Sequence, residues 1–332
     1  MRIALDAMGG DHAPEAICEG VRLAAQEWQD DEFVLIGPEA KVQPLFADGL
    51  PSNLRIHHTA EWIGPDEEPV KAVRRKKEAS MAVGCQLVKV GEVDAFISAG
   101  NTGALMAAGL FRTGRIPGID RPALAPVFPD VSGKGTLVLD VGANPEAKAH
   151  HLAQYALMGS IYAEKVLGID NPRVGLLNIG TEEGKGTEMI KEAYRRLREL
   201  PLHFVGNVES RDVFQDVCDV LVCDGFSGNI LLKTSEGVAK TFIDRLKQEF
   251  TRTWWSKLAA AVLKPGLKRF AREFDYKEHG GAPLLGLSGP IIKAHGSSDA
   301  RAVYHAVRQA RLFVERGVIP QITEDLHRIE RG

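Results

Sequence analysis

A chain of 332 residues with 44% hydrophobic and 26% charged residues can bury a sizeable core but is too short for three ordinary domains. Its net charge of −3 removes any global electrostatic case for nucleic-acid binding, and no basic domain, zinc-finger spacing or RNA-binding motif is present. Cys18, Cys85, Cys218 and Cys223 fit neither a disulfide framework nor a zinc site, no secretory signal pattern opens the chain, and no apolar run approaches the ~20 residues that span a bilayer; together these predict a protein of the reducing cytosol.

Strands are predicted at 2–6, 33–36, 54–58, 94–98, 124–128, 136–140, 174–178, 203–206 and 219–223. Helical patterns fall at 14–28, 68–90, 103–112, 146–167, 187–199 and 229–249. This alternation predicts βαβ units and a mostly parallel sheet. Runs such as LVLDV, VGLLNI and VLVCD are continuously apolar, as expected of strands covered by helices on both faces. After Ile230 the pattern becomes mainly helical, with a segment across 254–274 and a last helix at 298–316 capped by Ser297 or Ser298. The stretch 280–290 reads as a loop or a short strand crossing. The expectation is a single α/β catalytic domain over 1–332, carrying an amphipathic helical insertion at 247–275.

One device recurs five times: a short apolar strand runs into a Gly- and polar-rich loop that opens a helix. The loops are 6–12, 98–103, 140–145, 178–186 and 223–229. In open parallel sheets, loops at the carboxyl ends of strands line the ligand crevice, and helix N-termini there present free N–H groups. Five such loops on one rim predict a site for an anionic substrate carrying phosphate. Gly9, Gly10 and Gly103 permit close backbone approach, while Asn101, Thr102 and Asn144 offer side-chain hydrogen bonds. Lys185, on a frame of Gly184 and Gly186, sits at a helix start where its charge opposes the dipole, so it reads as an electrostatic clamp for an anion. Asp224, Ser227 and Asn229 place an acid, a hydroxyl and an amide in one loop. His12 is the sole histidine in the five loops and so the general acid–base candidate. Lys293 and His295 are placed to complete the rim, whereas His150 and His151 are expected to face solvent.

Missing motifs narrow the chemistry. There is no G-x-G-x-x-G, which disfavours a dehydrogenase. The loop 180–187 resembles a P-loop but has three residues between its glycines and Gly186 where magnesium would need a hydroxyl. No G-x-S-x-G elbow and no zinc signature occurs, so neither a covalent acyl-enzyme nor a metal is indicated.

The segment 247–275 is basic and amphipathic, with Trp254 and Trp255 adjacent and Pro265-Gly266 dividing it into two arms. Such helices bind membrane surfaces or acidic partners, and a hairpin packed on the core or on a dimer mate fits the same pattern. Trp254, Trp255, Lys257, Leu258, Lys268, Arg269 and Arg272 are the contact candidates. Lys71, Arg74, Arg75, Lys76 and Lys77 form a second basic cluster.

The motifs at 6–14, 98–104, 140–144, 178–186, 223–229 and 295–299 together resemble, in order, those of the bacterial phosphate acyltransferases of phospholipid synthesis (the PlsX family). The resemblance implies transfer of an acyl group from acyl–acyl carrier protein to inorganic phosphate, giving acyl phosphate for a membrane glycerol-3-phosphate acyltransferase. It also implies a homodimer with a three-layer α/β/α fold similar to that of phosphotransacetylases and isocitrate dehydrogenases; peripheral membrane association is expected from the physical pattern of 247–275, and no cofactor is expected. On this reading Asn101, Thr102 and Lys185 hold phosphate, and Asp224, Asn229 and His12 orient substrates or handle protons. The competing readings are a phosphotransacetylase acting on a coenzyme A thioester and a non-catalytic membrane scaffold.

Overall fold

The computed structural model describes residues 1–273 and 280–331, with backbone alone for 267–273 and 329–331. The strands are β1 (Arg2–Asp6), β2 (Glu32–Gly37), β3 (Leu54–His58), β4 (Ala95–Ser98), β5 (Ala123–Leu124), β6 (Val127–Phe128), β7 (Thr136–Leu139), β8 (Arg173–Asn178), β9 (His203–Glu209), β10 (Val220–Val222), β11 (Ala282–Leu285) and β12 (Ile291–Lys293). The helices are α1 (Glu15–Glu27), α2 (Glu39–Val42), α3 (Pro69–Arg75), α4 (Ser80–Lys89), α5 (Thr102–Ala108), α6 (Ala149–Tyr162), α7 (Glu188–Glu199), α8 (Gly225–Thr251), α9 (Trp254–Glu273), α10 (Ala300–Glu315) and α11 (Val318–Arg331).

The single sheet expected from the sequence is divided in two. One sheet runs β3-β2-β1-β4-β12-β11-β5 and the other β6-β7-β10-β8-β9. Pairing is parallel except around β11, which is antiparallel to β12 and β5, and at β6, antiparallel to β7. The predicted strand 124–128 is where the chain changes sheets. Pro126 has no N–H to give a ladder, so β5 ends before it in one sheet and β6 begins after it in the other.

The period-2 geometry of strands explains why both sheets read as unbroken apolar runs. Ala4, Val34, Ile36 and Phe96 of the first sheet and Val138 and Leu221 of the second enter one shared core, together with residues of α4 and α5. Their strand neighbours Ile3, Leu5, Phe33 and Leu35 face α1 and α10 instead. Leu137, Leu139, Val220 and Val222 face α6 and α11. The result is a three-layer α/β/α arrangement with helices on both sides. All four cysteines are buried, and burial pushes the Cys18 and Cys218 thiols up to about 12, so they are core residues as expected.

Several boundaries differ from the sequence reading. The helix expected over 68–90 breaks into α3 and α4, because the Lys76 ammonium turns in to Trp62 O (2.9 Å) and Glu67 (2.6 Å). The stretch 280–290 supplies β11 and the approach to β12. Helix α11 has no counterpart in the sequence reading, and its Val318, Ile322 and Leu326 are buried. Helix α8 starts at Gly225, four residues before the expected start, and α9 continues through Pro265. The two arms therefore meet at 252–253, not at Pro265-Gly266, and Thr253 Oγ1 accepts the Ser256 N–H (3.1 Å) at the turn. No residue from 229 to 266 is buried, so the two helices form a hairpin projecting from the domain. Among the described residues, no helix is long and apolar enough to cross a membrane.

Candidate active site

A cavity of about 800 Å³ opens at the carboxyl ends of β1, β4 and β12 and is closed from the second sheet by residues after β7 and β10. Its construction starts at Asp6. The buried carboxylate accepts Ser80 Oγ–H (2.6 Å), Ser98 Oγ–H (2.7 Å) and Met8 N–H (3.1 Å). Burial pushes this carboxyl up, against the pull of its donors. The loop after β1 is thereby tied to the loop after β4. Gly10 (φ 106°) crosses so near Gly296 O and Ala99 that a Cβ there would lie 3.1 Å from both. Asp11 N–H donates to Gly296 O (2.8 Å), which joins the loop after β12 to the other two.

Asp140 plays the matching part in the second sheet. It is buried at the end of β7 and accepts N–H groups from Leu124 (3.1 Å), Gly142 (3.2 Å), Ala143 (3.0 Å) and Asn144 (2.7 Å), with the Asn144 side-chain amide at 3.1 Å. The turn brings Gly142 (φ 130°) so near Asn229 that a Cβ would lie 2.8 Å from Nδ2. Asn229 Nδ2 donates to Val141 O (3.1 Å), fixing its place on the rim.

Gly10, Asn101, Thr102, Gly103 and Asn229 line the cavity, as do Lys293 and His295. Both ends of the Asn101 amide are engaged: Oδ1 accepts Ala104 N–H and Nδ2 donates to Pro65 O, each at 3.0 Å. Gly9 and Asn144 brace the loops without lining the space. Asp224 caps α8 through Phe226 N–H (3.0 Å) and Ser227 N–H (2.9 Å) and accepts Ser227 Oγ–H (2.7 Å), so this pair is spent on the helix start. His12 is exposed, lies outside the cavity, and its carbonyl opens α1 through Ala16 N–H (2.9 Å).

The expectation of five loops on one rim is corrected to four. No residue of 178–187 lines the cavity. Asn178 Nδ2 donates to Lys185 O (3.1 Å), folding that loop back on its own strand. Lys185 is exposed with Nζ 4.0 Å from Glu182, and Gly184 and Gly186 lie beside it.

Residues the sequence reading missed come from α8 and from the crossing between the sheets. Lys233 and Glu236 line the cavity one and two turns beyond Asn229 and pair at 2.8 Å. The 229/233/236 spacing was a legible helical face. Leu124, Val127, Phe128, Val141 and Ile63, all buried or nearly so, give the cavity an apolar wall.

His151 corrects another expectation: it is buried, not solvent-facing. His150 Nε2 meets Asp120 at 2.8 Å and His151 Nε2 stands 3.9 Å from the same oxygen. Burial holds the His151 ring below its ordinary pKa, and its Nδ1 accepts Lys148 N–H (3.0 Å). The neutral ring therefore carries its proton on Nε2, which leaves Nε2 no lone pair for a metal ion. In the basic cluster, Arg75 (2.9 Å) and Lys76 (2.6 Å) are paired with Glu67. The side chains of Lys268, Arg269 and Arg272, and residues 274–275 of the insertion, lie outside the described residues.

Comparison with known proteins follows the same lines. A family described as fatty acid synthesis protein matches residues 1–321. A phosphate acyltransferase of Brevibacillus brevis is 55% identical over 332 residues, covering 100% of this chain and 99% of that protein. Phosphate acyltransferases of Bacillus cereus (97% of each chain covered) and Geobacillus thermodenitrificans (99% of each) are both 56% identical. Among solved structures, a phosphotransacetylase from Streptococcus pyogenes superposes with a TM-score of 0.62 at 19% identity over 95% of this chain and 94% of that one. A branched-chain phosphotransacylase from Enterococcus faecalis gives 0.56 at 14% identity over 95% and 99%. At such identities these two show a shared fold.

Proposed function

Since the chain belongs to the phosphate acyltransferase family of fatty acid synthesis proteins, we propose that it moves a long-chain acyl group from acyl–acyl carrier protein to inorganic phosphate, making acyl phosphate for phospholipid synthesis. The observation that carries this reading is the two-sided cavity. One side is built from glycine loops, Asn229 and a buried lysine; the other is the apolar wall at 124–128. An acyl phosphate has the same two halves.

The step needs no protein nucleophile. An oxygen of HPO₄²⁻ attacks the thioester carbonyl carbon, the C–S bond breaks, and the proton lost by phosphate goes to the departing thiolate. The protein's part is to hold the reactants together and to receive the oxyanion that develops on the carbonyl. Each well-aimed donor to that oxyanion is worth about 3 kcal/mol. Gly10, Asn101, Thr102, Gly103 and Asn229, which line the cavity, are the residues proposed for that part. Gly9 and Asn144 hold the loops in register, and Asp224 and Ser227 set the start of the helix that carries Asn229. The apolar wall takes the acyl chain, at about 0.8 kcal/mol for each methylene removed from water. Lys185 enters as an exposed cation that draws phosphate toward the cavity; unchanged phosphate dependence in Lys185→Ala removes it from the scheme, and the same test applied to His12→Ala decides whether that imidazole handles a proton.

The carrier protein is acidic, so Lys71, Lys77 and the cations of the hairpin are its proposed docking surface. The hairpin tip, with Trp254, Trp255, Lys257 and Leu258, is the proposed contact with the membrane that consumes the product. A peripheral, cytoplasmic homodimer delivering acyl phosphate to a membrane glycerol-3-phosphate acyltransferase completes the reading, and light scattering checks the dimer. Phosphorus NMR of the protein with palmitoyl–acyl carrier protein and phosphate tests the reaction. A phosphate-dependent acyl-phosphate signal, absent with palmitoyl–coenzyme A, is expected. A signal with the coenzyme A donor alone turns the reading to a phosphotransacetylase, and no signal with either donor rejects catalysis.

A further inference from the structure

We propose that Lys293 is the cation that receives inorganic phosphate in the cavity, an assignment that rests on the reading of the chain as a phosphate acyltransferase. Lys293 is the last residue of β12, in parallel register with Ser98 of β4, so its side chain leaves the sheet where the loops gather. It lines the cavity and is only 8% exposed. Its ammonium donates to two backbone carbonyls, Ala99 O (3.4 Å) and Ala294 O. An ammonium has three N–H donors, so one remains for the cavity.

Two carboxylates, Asp11 and Asp6, act on Lys293 through space, but burial outweighs them. Among the described residues, no carboxylate forms an ion pair with its Nζ. The charged groups that face it are Asp6 at the end of β1, Asp11 from the loop after it and Lys233 from α8, with Glu236 of α8 and His295 of its own loop also on the cavity wall. The Asp6 carboxylate is already held by two hydroxyls and a backbone N–H. Asp11 is exposed, and Glu236 is paired with Lys233. A buried ammonium facing neutral carbonyls is costly unless an anion joins it. Burial accordingly lowers the ammonium to about 8, with Lys233 pushing the same way and Asp11 and Asp6 opposing. A phosphate dianion in the cavity supplies the missing partner, and its arrival holds the proton on Nζ.

The sign of the pH effect follows. The empty site is cationic below about pH 8 and loses its charge above it. Phosphate affinity should therefore fall as pH rises past that point, whereas acyl-donor affinity should not. The test is steady-state kinetics on wild type, Lys293→Met and Lys293→Arg, varying phosphate and acyl donor separately. Lys293→Met is expected to raise the phosphate KM about tenfold or more, leave the donor KM within about twofold, and abolish the rise in phosphate KM between about pH 7 and pH 9. Lys293→Arg, which keeps a cation, is expected to recover phosphate binding and to flatten the pH profile.

Calorimetry of inorganic phosphate binding to the wild-type protein at about pH 8.5, in two buffers of different ionisation enthalpy, needs no variant to fold; proton uptake on binding is expected. An unchanged phosphate KM in folded Lys293→Met, or phosphate binding without proton uptake, overturns the assignment while leaving the reaction intact. Wild-type protein that makes no acyl phosphate overturns the reaction itself, and the assignment with it.

Discussion

Asp140 gathers five N–H donors at the end of β7, and the shape of the loop that meets Asn229 depends on them. Asp140→Asn would turn one acceptor oxygen into an N–H₂ facing other N–H groups in a buried site. The expected cost is about 3 kcal/mol or more in unfolding free energy, read by denaturant titration. A second residue-scale prediction concerns pH. Burial opposes the charge of Asp219, but hydrogen bonds and charge from Arg173 outweigh it and hold the carboxyl below its ordinary range. A folded-state pKa below the unfolded value contributes stability above about pH 4 that is lost as pH falls through the folded pKa. Thermal melts of wild type should therefore drop more steeply below about pH 4 than those of Asp219→Asn. At this scale the position of Asn101, Thr102 and Gly103 on the cavity wall was legible, because a strand end followed by small and polar residues opens the loops that gather there. Lys293 was legible only as a rim residue, since its burial against the Ala99 and Ala294 carbonyls depends on groups distant in the chain. The place of Lys185 off the cavity wall was not legible, because a glycine frame looks the same whether the loop faces a ligand or folds back on Asn178.

At the scale of elements, the hairpin carries the prediction. Val262 is 76% and Trp255 66% exposed, with Leu258 beside them on α9. Scattered exposed apolar residues are ordinary, whereas a row on the face of a projecting helix is the feature on which the proposed membrane contact rests. Leu258→Asp with Val262→Asp is expected to cut co-sedimentation with anionic vesicles by about tenfold while leaving turnover of a soluble donor within about twofold. Undiminished co-sedimentation would remove the hairpin from membrane contact. The sequence pattern of this segment predicts a helical pair but puts its break at Pro265-Gly266, whereas the break lies at 252–253. Proline needs a lost hydrogen bond to be tolerated, and here the residue four before it, Ala261, is exposed, so water can meet the freed carbonyl. The break at 76–79 was invisible for the opposite reason: it comes from Lys76 reaching back to Trp62 and Glu67, contacts that no local pattern encodes.

Across the whole molecule, strand positions and the three-layer class were readable because continuous apolar runs require cover on both faces. The division into two sheets was not, since pairing partners are chosen by non-local packing around the shared core. That division matters for chemistry. It lets loops from two sheets face each other across one cavity, with the crossing at 124–128 as the apolar wall between them. The central claim is that acyl transfer happens there in one step, phosphate attacking the thioester with no residue of the chain acylated on the way. The most direct test is to mix the protein with palmitoyl–acyl carrier protein, first without phosphate and then with it, following carrier-protein thiol release and the intact mass of the protein. The account predicts no thiol release and an unmodified mass until phosphate is added, then release matched by acyl phosphate. An acylated protein, or thiol released before phosphate arrives, would contradict it.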